Sequence, residues 1–116
     1  MSTITRIETD PRRSRAVVYN GMVFVGGMTA DDRSLDIAGQ TRQTLEKIEG
    51  YLAKAGTDKS RLLTAQIWLA DIGSFADMNA VWDAWVDPAN PPARWTGEAR
   101  LATPDYLVEV IVTAAQ

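Results

Sequence analysis

The chain has 116 residues, a length that suits one domain with its own hydrophobic core, so a single domain over residues 1–116 is expected. Its net charge is -3, which argues against nucleic acid as the main partner because phosphate backbones are bound by clustered Lys and Arg. It contains no cysteine and no histidine, which excludes disulfides, thiolate nucleophiles, Cys/His zinc sites and Ser-His-Asp triads. Acid–base chemistry must therefore use carboxylates, lysine, tyrosine or ordered water.

The first residues lack the apolar core of a secretory signal, and no apolar run is long enough to span a membrane. We therefore expect a cytoplasmic protein without a membrane partner. The one basic cluster, Arg12, Arg13 and Arg15, is interpreted as a solvated loop rather than as a nucleic-acid-binding arm.

Strand patterns fill the first quarter of the chain. Residues 3–8 alternate in polarity and predict a short edge strand. Residues 15–19 and 22–25 are rich in β-branched and aromatic side chains, and the Asn-Gly pair between them is a strong signal for a tight β-hairpin. The pair Gly26 and Gly27 is expected to end the second strand of that hairpin.

A long amphipathic helix is predicted over residues 36–55. Its buried face follows from apolar or small residues at spacings of three and four: Ile37, Thr41, Leu45, Ile48, Leu52 and Ala55. Gly56 supplies a C-terminal cap. Gly50 lies inside the helix, where glycine is unfavourable, so it is expected to mark close packing on the sheet.

The second half of the chain predicts three more strands and a shorter helix. Residues 62–70 form a central strand with one face made of Leu63, Ala65, Ile67 and Leu69. Ser74 and Asp77 resemble a capping box at the start of the second helix, which Pro88 ends. The apolar stripe of that helix is Phe75, Met78, Val81, Trp82 and Trp85. Residues 93–101 and 106–114 are the last strands.

These elements predict an α+β fold in which two helices pack on one face of a mixed β-sheet. Two helices cannot cover the second face of so wide a sheet. That face carries Trp68 and one alternate set of residues from the last strand. An exposed apolar face of this size predicts that the chain associates with copies of itself.

Four blocks of sequence resemble the RidA/YjgF family: residues 36–48, 69–82, 92–94 and 108–110. They occur in the family's order and span nearly the whole chain, and the tryptophan-rich second helix is most similar to the YoaB-like branch. The resemblance implies a chorismate-mutase-like fold, a homotrimer with a central barrel, and ligand clefts between subunits. It also implies hydrolysis of reactive 2-imino acids or enamines to 2-keto acids and ammonia, without a cofactor or a metal.

The resemblance also implies roles for individual residues. Arg94 matches the arginine that clamps the substrate carboxylate, and Glu109 matches the glutamate that positions water or moves a proton. Asn79 matches an asparagine of the second helix that lies near the cleft. The remaining candidates for substrate binding are Gly26, Gly27, Trp95 and Thr96.

Arg94, Glu109, Asn79 and the two glycines also have purely structural alternatives. Arg94 could pair with Glu98 or Glu109 on the strand surface, and Glu109 could pair with Arg94 or Arg100. Asn79 could be a helix-surface amide, and the two glycines could serve only a turn.

The sequence departs from the family's well-known deaminases at three places. Residues 12–14 read Arg-Arg-Ser where a tyrosine is expected, no serine stands beside Gly26, and Thr96 replaces a common cysteine. The leading functional hypothesis is an imine or enamine deaminase. The alternative is a non-catalytic trimer that binds a small 2-keto acid or a related carboxylate metabolite. An RNA-cleaving protein and a purely structural domain are further hypotheses, and the acidic charge argues against the first of these.

Overall fold

A computed structural model describes residues 3–116. This part of the chain forms six strands and two α-helices in the predicted order. The strands are β1 (Thr5–Thr9), β2 (Ser14–Tyr19), β3 (Met22–Met28), β4 (Leu62–Leu69), β5 (Ala93–Glu98) and β6 (Val108–Ala115), and the helices are α1 (Ile37–Lys54) and α2 (Phe75–Trp85). Short 3₁₀ turns over Lys59–Arg61 and Ile72–Ser74 precede β4 and α2.

The six strands form one sheet in the order β1-β2-β3-β6-β4-β5. All neighbours are antiparallel except β4 and β5, which pair in parallel with α2 as the connection between them. The sheet is therefore mixed, as predicted, and β1 lies at one edge as expected. Strand β5 forms the other edge.

The hydrophobic core lies between the helices and one face of the sheet. Along β6, residues alternate between buried and half-buried, so one face is packed and the other is open. The packed face buries Val23, Val25, Ala65, Ile67, Leu69, Val108, Val110 and Val112 against Leu45, Ile48, Leu52, Met78 and Trp82 of the helices. Each large apolar side chain that becomes fully buried contributes roughly 1.5–3 kcal/mol. The two helices thus pack on one face, as predicted, and we call the uncovered side the open face.

The hairpin between β2 and β3 forms as predicted. Asn20 and Gly21 both have positive φ, at 51° and 74°, as a type I′ turn requires. The strand does not end at the glycine pair, however, and continues to Met28 with a shift in its register against β6 between Val25 and Met28. The two glycines lie in this irregularity, so the prediction that they end the strand was wrong.

Helix α1 begins after Asp36, whose carboxylate accepts a hydrogen bond from the Gly39 amide at 2.8 Å. It ends before Gly56, which has a positive φ of 81° and so continues the chain where other residues would be strained. The prediction for Gly50 was wrong. It lies on the exposed side of α1, and a Cβ atom added there would meet nothing within 4 Å.

Two local predictions for β4 and α2 were also wrong. The register of β4 against β6 shifts between Leu62 and Thr64, so Leu62 is buried and Leu63 is 41% exposed. Ser74 does precede α2, but its hydroxyl donates to the Asp71 carbonyl at 2.7 Å and caps no helix amide.

Neither helix in residues 3–116 is both long enough and apolar enough to cross a membrane.

Candidate functional site

The register of the edge strand β5 decides the direction of Arg94. It lies beside Ala65 of β4, and Thr96 lies beside Ile67, and both of these partners are fully buried under the helices. Because side chains alternate along a strand, Arg94 and Thr96 point towards α2. Trp95 points the other way and is 46% exposed on the open face.

Arg94 is half-buried, and its guanidinium contacts two aromatic rings of α2. The Cζ atom lies 5.3 Å from the ring centroid of Trp82 and 5.8 Å from that of Phe75. Among the described residues, the guanidinium has no ion pair with Glu98 or Glu109 and no hydrogen bond. Its N–H donors are therefore free in one chain, and neither structural pairing considered for Arg94 forms there.

Two further polar groups lie in this region without partners. Asn79 is four residues after Phe75 and three before Trp82, so it shares the face of α2 whose rings contact Arg94. The Asn79 Oδ1 and Thr96 Oγ1 atoms are buried without a hydrogen-bond partner among the described residues. A buried polar atom left unsatisfied costs roughly 1–3 kcal/mol, which a bound ligand or water can recover. We call Arg94, Asn79 and Thr96 the arginine half-site.

Glu109 lies on the open face of β6, opposite Trp68 of β4 and two residues before Ile111. Its carboxylate lies directly over Gly27. A Cβ atom at position 27 would be only 2.7 Å from the Glu109 Oε2 atom, so with any other residue there the carboxylate would have to move. We call Glu109 and Gly27 the glutamate half-site.

The close approach at Gly27 does not extend to Gly26. A Cβ atom at Gly26 would lie 3.5 Å from the Arg15 carbonyl, which is an ordinary contact. Nothing else ties Gly26 to either half-site. Among the described residues, Glu109 also forms no ion pair with Arg94 or Arg100.

The two half-sites lie on opposite faces of one sheet. A single chain therefore does not bring Arg94 and Glu109 together. It does group Arg94 with Asn79 and Thr96, and Glu109 with Gly27. Trp95 lies with neither, because it shares the open face with Glu109 but belongs to the edge strand two positions away across β4.

A surface hollow of about 790 Å³ continues from the end of β5. Glu98, Arg100, Thr103 and Tyr106 line it, and the Thr103 Oγ1 atom is a third buried polar atom without a partner among the described residues. Within residues 3–116, no three acidic side chains come together in a way that could hold a metal ion.

Sequence reasoning missed two contributions to this geometry. Phe75 and Trp82 were assigned only to the apolar stripe of α2, yet both rings contact the Arg94 guanidinium. Gln40 was not singled out, although its amide is fully buried. It donates to the Asp105 carbonyl at 3.0 Å and accepts from the Leu107 amide at 2.9 Å. The available signal was a long polar residue beside the buried face of α1.

Comparison with known proteins gives matches over nearly the whole chain. Residues 3–116 match the family described as Endoribonuclease L-PSP. The chain is 46% identical over 112 residues to a RutC family protein of Haemophilus ducreyi, which covers 97% of this chain and 96% of that protein. It is 41% identical over 113 residues to the RutC family protein YoaB of Escherichia coli strain K12, at 97% and 98% coverage.

A solved structure agrees over the same span. The crystal structure of NMB1025 from Neisseria meningitidis, described as a member of the YjgF protein family, superposes with a TM-score of 0.96. The two sequences are 44% identical, and the match covers 98% of this chain and 95% of that one.

Proposed function

The chain belongs to the RidA/YjgF family, and from this membership and the geometry of its half-sites we propose that it hydrolyses small reactive 2-imino acids or enamines. The products are a 2-keto acid and ammonia. No cofactor takes part, and we place the reaction in the cytoplasm.

The observation that carries the proposal is that the polar groups of the arginine half-site have no hydrogen-bond partner among the described residues. A guanidinium with free donors binds a carboxylate through two parallel hydrogen bonds. The Thr96 hydroxyl can donate to the same carboxylate, while Asn79 Oδ1 can only accept, and therefore suits an N–H group. A 2-imino acid carries a carboxylate and an N–H group on adjacent carbons, so it satisfies all three residues together.

The chemical step needs one water molecule and one group that moves protons. Water attacks C2 of the imine, Glu109 accepts a proton from that water, and delivery of this proton to the imine nitrogen gives a carbinolamine. A second proton then passes from the carbinolamine hydroxyl to the nitrogen, the C–N bond breaks, ammonia leaves, and C2 becomes the keto carbon. Imines hydrolyse readily, so holding the carboxylate and presenting a water is a sufficient role for the site.

We further propose that Glu109 reaches the substrate from a neighbouring copy in a homotrimer. Arg94 and Glu109 lie on opposite faces of one sheet, so a complete site requires two chains. The open face carries Phe24, Trp68 and Ile111, which are half-buried or exposed in one chain. Packing three such faces around a central barrel would cover these apolar side chains.

The first experiment measures release of ammonia and keto acid from 2-iminopropionate and 2-iminobutyrate, generated in the assay by an amino-acid oxidase. Wild-type protein should accelerate release, and Arg94→Ala should abolish the acceleration. A properly folded wild-type oligomer that gives no acceleration would refute the deaminase proposal for these substrates.

A second experiment tests whether one site draws on two chains. Arg94→Ala and Glu109→Gln are each expected to be inactive. When they are denatured together and refolded at equal concentrations, each cleft receives a correct arginine and a correct glutamate with a chance of one half each. About a quarter of wild-type activity should return in cyclic trimers assembled at random. No recovery, with mixed trimers verified by mass spectrometry, would place both residues in one chain's site.

One observation favours the alternative of a non-catalytic trimer that binds a 2-keto acid or a related carboxylate. The arginine half-site is complete within one chain, without Glu109. Saturable binding of 2-oxobutanoate, lost in Arg94→Ala but unaffected in Glu109→Gln and accompanied by no imine turnover, would select this alternative.

A further inference from the structure

Arg94 is held in place without using its hydrogen-bond donors. A half-buried arginine is usually fixed by carboxylates or carbonyl groups, which occupy its N–H groups. Here the described residues supply no such acceptor, and the guanidinium instead contacts aromatic rings. A cation is attracted to the face of an aromatic ring, and this interaction leaves the edge of the guanidinium free.

The two rings share one face of α2. Phe75 and Trp82 are seven residues apart, which is about two turns of a helix. The Cζ atom of Arg94 is 5.8 Å from the Phe75 centroid and 5.3 Å from the Trp82 centroid, so one guanidinium contacts both rings.

The two rings differ in how firmly they are held. Trp82 is only 5% exposed and packs at 5.4 Å against Trp85, whose indole N–H donates to Glu49 of α1. Phe75 is 40% exposed at the start of α2. Trp82 is therefore the more firmly held of the two rings, and Phe75 is the ring nearer to solvent.

We propose that Phe75 and Trp82 are positioning residues that hold the Arg94 guanidinium with its N–H edge directed to the ligand carboxylate. This inference rests on the proposed function of Arg94 as the carboxylate clamp. The rings act through Arg94 and make no hydrogen bond to the ligand themselves. Their effect should therefore be on carboxylate affinity, rather than on the proton transfers assigned to Glu109.

The test compares wild type with Phe75→Leu, Phe75→Tyr and Trp82→Phe. Calorimetry measures the Kd for 2-oxobutanoate, and NMR follows the side-chain Nε–Hε signal of Arg94 without ligand. Phe75→Leu should weaken binding by about two- to fivefold and shift the Arg94 signal, because it loses both the ring attraction and the ring current. Phe75→Tyr keeps an aromatic ring at this position and should therefore show nearly the wild-type affinity and the wild-type Arg94 signal. In the deaminase assay, Phe75→Leu should raise KM and leave kcat nearly unchanged.

Ile72→Ala is the matched control. It truncates an exposed apolar side chain three residues before Phe75 and should change neither the Kd nor the Arg94 signal. Phe75 remains a sufficient test if the Trp82 variant fails to fold, because Phe75 is exposed.

The outcomes separate this inference from the proposed function. Wild-type protein that binds no 2-keto acid refutes the proposed function. Wild-type protein that binds, together with a Phe75→Leu variant of unchanged affinity, refutes only the positioning role. Weaker binding in Phe75→Leu with an unchanged Arg94 signal also refutes it, because Phe75 would then act on the ligand directly.

Discussion

At the scale of single residues, the absence of a side chain at position 27 is what allows the Glu109 carboxylate to lie where it does. In Gly27→Ala, the methyl group would push aside the end of a flexible side chain rather than the backbone. We expect the free energy of unfolding to change little and imine hydrolysis to fall by about tenfold or more, because small displacements of a catalytic group are costly.

The control for this change is Gly50→Ala, where the added methyl group meets no neighbour within 4 Å. It should leave turnover intact and raise stability by roughly 0.5–1 kcal/mol, because alanine is the better helix former. Urea denaturation of both variants, alongside the deaminase assay, checks these expectations. A large loss of stability in Gly27→Ala would show that the glycine serves the strand rather than the carboxylate.

Gln40 is the second residue with important contacts that the sequence does not reveal. Its buried amide ties the start of α1 to the segment that leads into β6, and so to the strand that carries Glu109. Gln40→Leu keeps the bulk but leaves the Leu107 amide and the Asp105 carbonyl without this partner. A buried group left unsatisfied costs roughly 1–3 kcal/mol, and Leu107 is half-buried whereas Asp105 is exposed, so we expect about 1–3 kcal/mol of destabilisation by urea denaturation.

The comparison for Gln40→Leu is Gln43→Leu on the same helix. The Gln43 side chain accepts one hydrogen bond, from the exposed Asp32 amide at 3.0 Å. Its loss should cost less than about 1 kcal/mol, because water can replace an exposed partner. Equal losses for the two variants would contradict the special role of Gln40.

At the scale of elements, the Glu8 carboxylate connects the edge strand β1 to α1. Glu8 accepts a hydrogen bond from the Tyr51 hydroxyl at 3.0 Å and forms a salt bridge with Lys54. Glu8 also has a positive φ of 50°, an unusual conformation for this residue type. The contact with Lys54, and then that with Tyr51, lowers the pKa of Glu8 below its ordinary value.

This lowered pKa gives a pH prediction. A carboxylate with a depressed pKa in the folded state stabilises the protein above its unfolded-state pKa, and the effect disappears as the pH falls through the folded-state value. The difference in Tm between wild type and Glu8→Gln should therefore be present at pH 7, begin to shrink as the pH falls below about 4.3, the ordinary value for Glu, and disappear once Glu8 is protonated in the folded protein. It should also shrink in high salt, because the pair is exposed. A difference that persists in acid would assign it to packing rather than charge.

Most elements could be predicted because their signals are local, whereas the errors at the Gly26–Gly27 pair and at Leu63 arose from contacts between distant strands. The Asn20–Gly21 turn and the periodicity of α1 are readable within a few residues. The exposure of Leu63 depends on a register shift against β6, which is more than forty residues away. Arg94 and Glu109 were identified as candidates by resemblance, but the faces they occupy follow from their pairing with β4, which no local pattern reveals.

At the scale of the whole molecule, the open face is the surface on which we expect assembly to depend. Ile111 lies near its centre on β6, between Gln66 of β4 and the strand β3. A lysine at this position would place a charge in the proposed interface. Ile111→Lys should therefore be a folded monomer by circular dichroism and analytical ultracentrifugation, and it should lose imine hydrolysis because the half-sites separate.

Glu46→Lys is the control, because Glu46 lies on the exposed side of α1 and also becomes a lysine. It should remain oligomeric and active. An Ile111→Lys variant that stays oligomeric would place the interface elsewhere, and a monomer with full activity would show that one chain is sufficient.

The position of β6 also has a consequence for how the polypeptide folds as it leaves the ribosome. Strand β6, the last strand of the described chain, lies between β3 and β4. Among the described residues, it is the only strand that pairs β1–β3 with β4 and β5 within the sheet. Until residues near 115 have emerged, β3 and β4 each present an unpaired apolar edge, the kind of edge that promotes aggregation. Nascent chains stalled shortly before β6 should therefore require chaperone protection, and emergence of β6 should complete the sheet in one cooperative step.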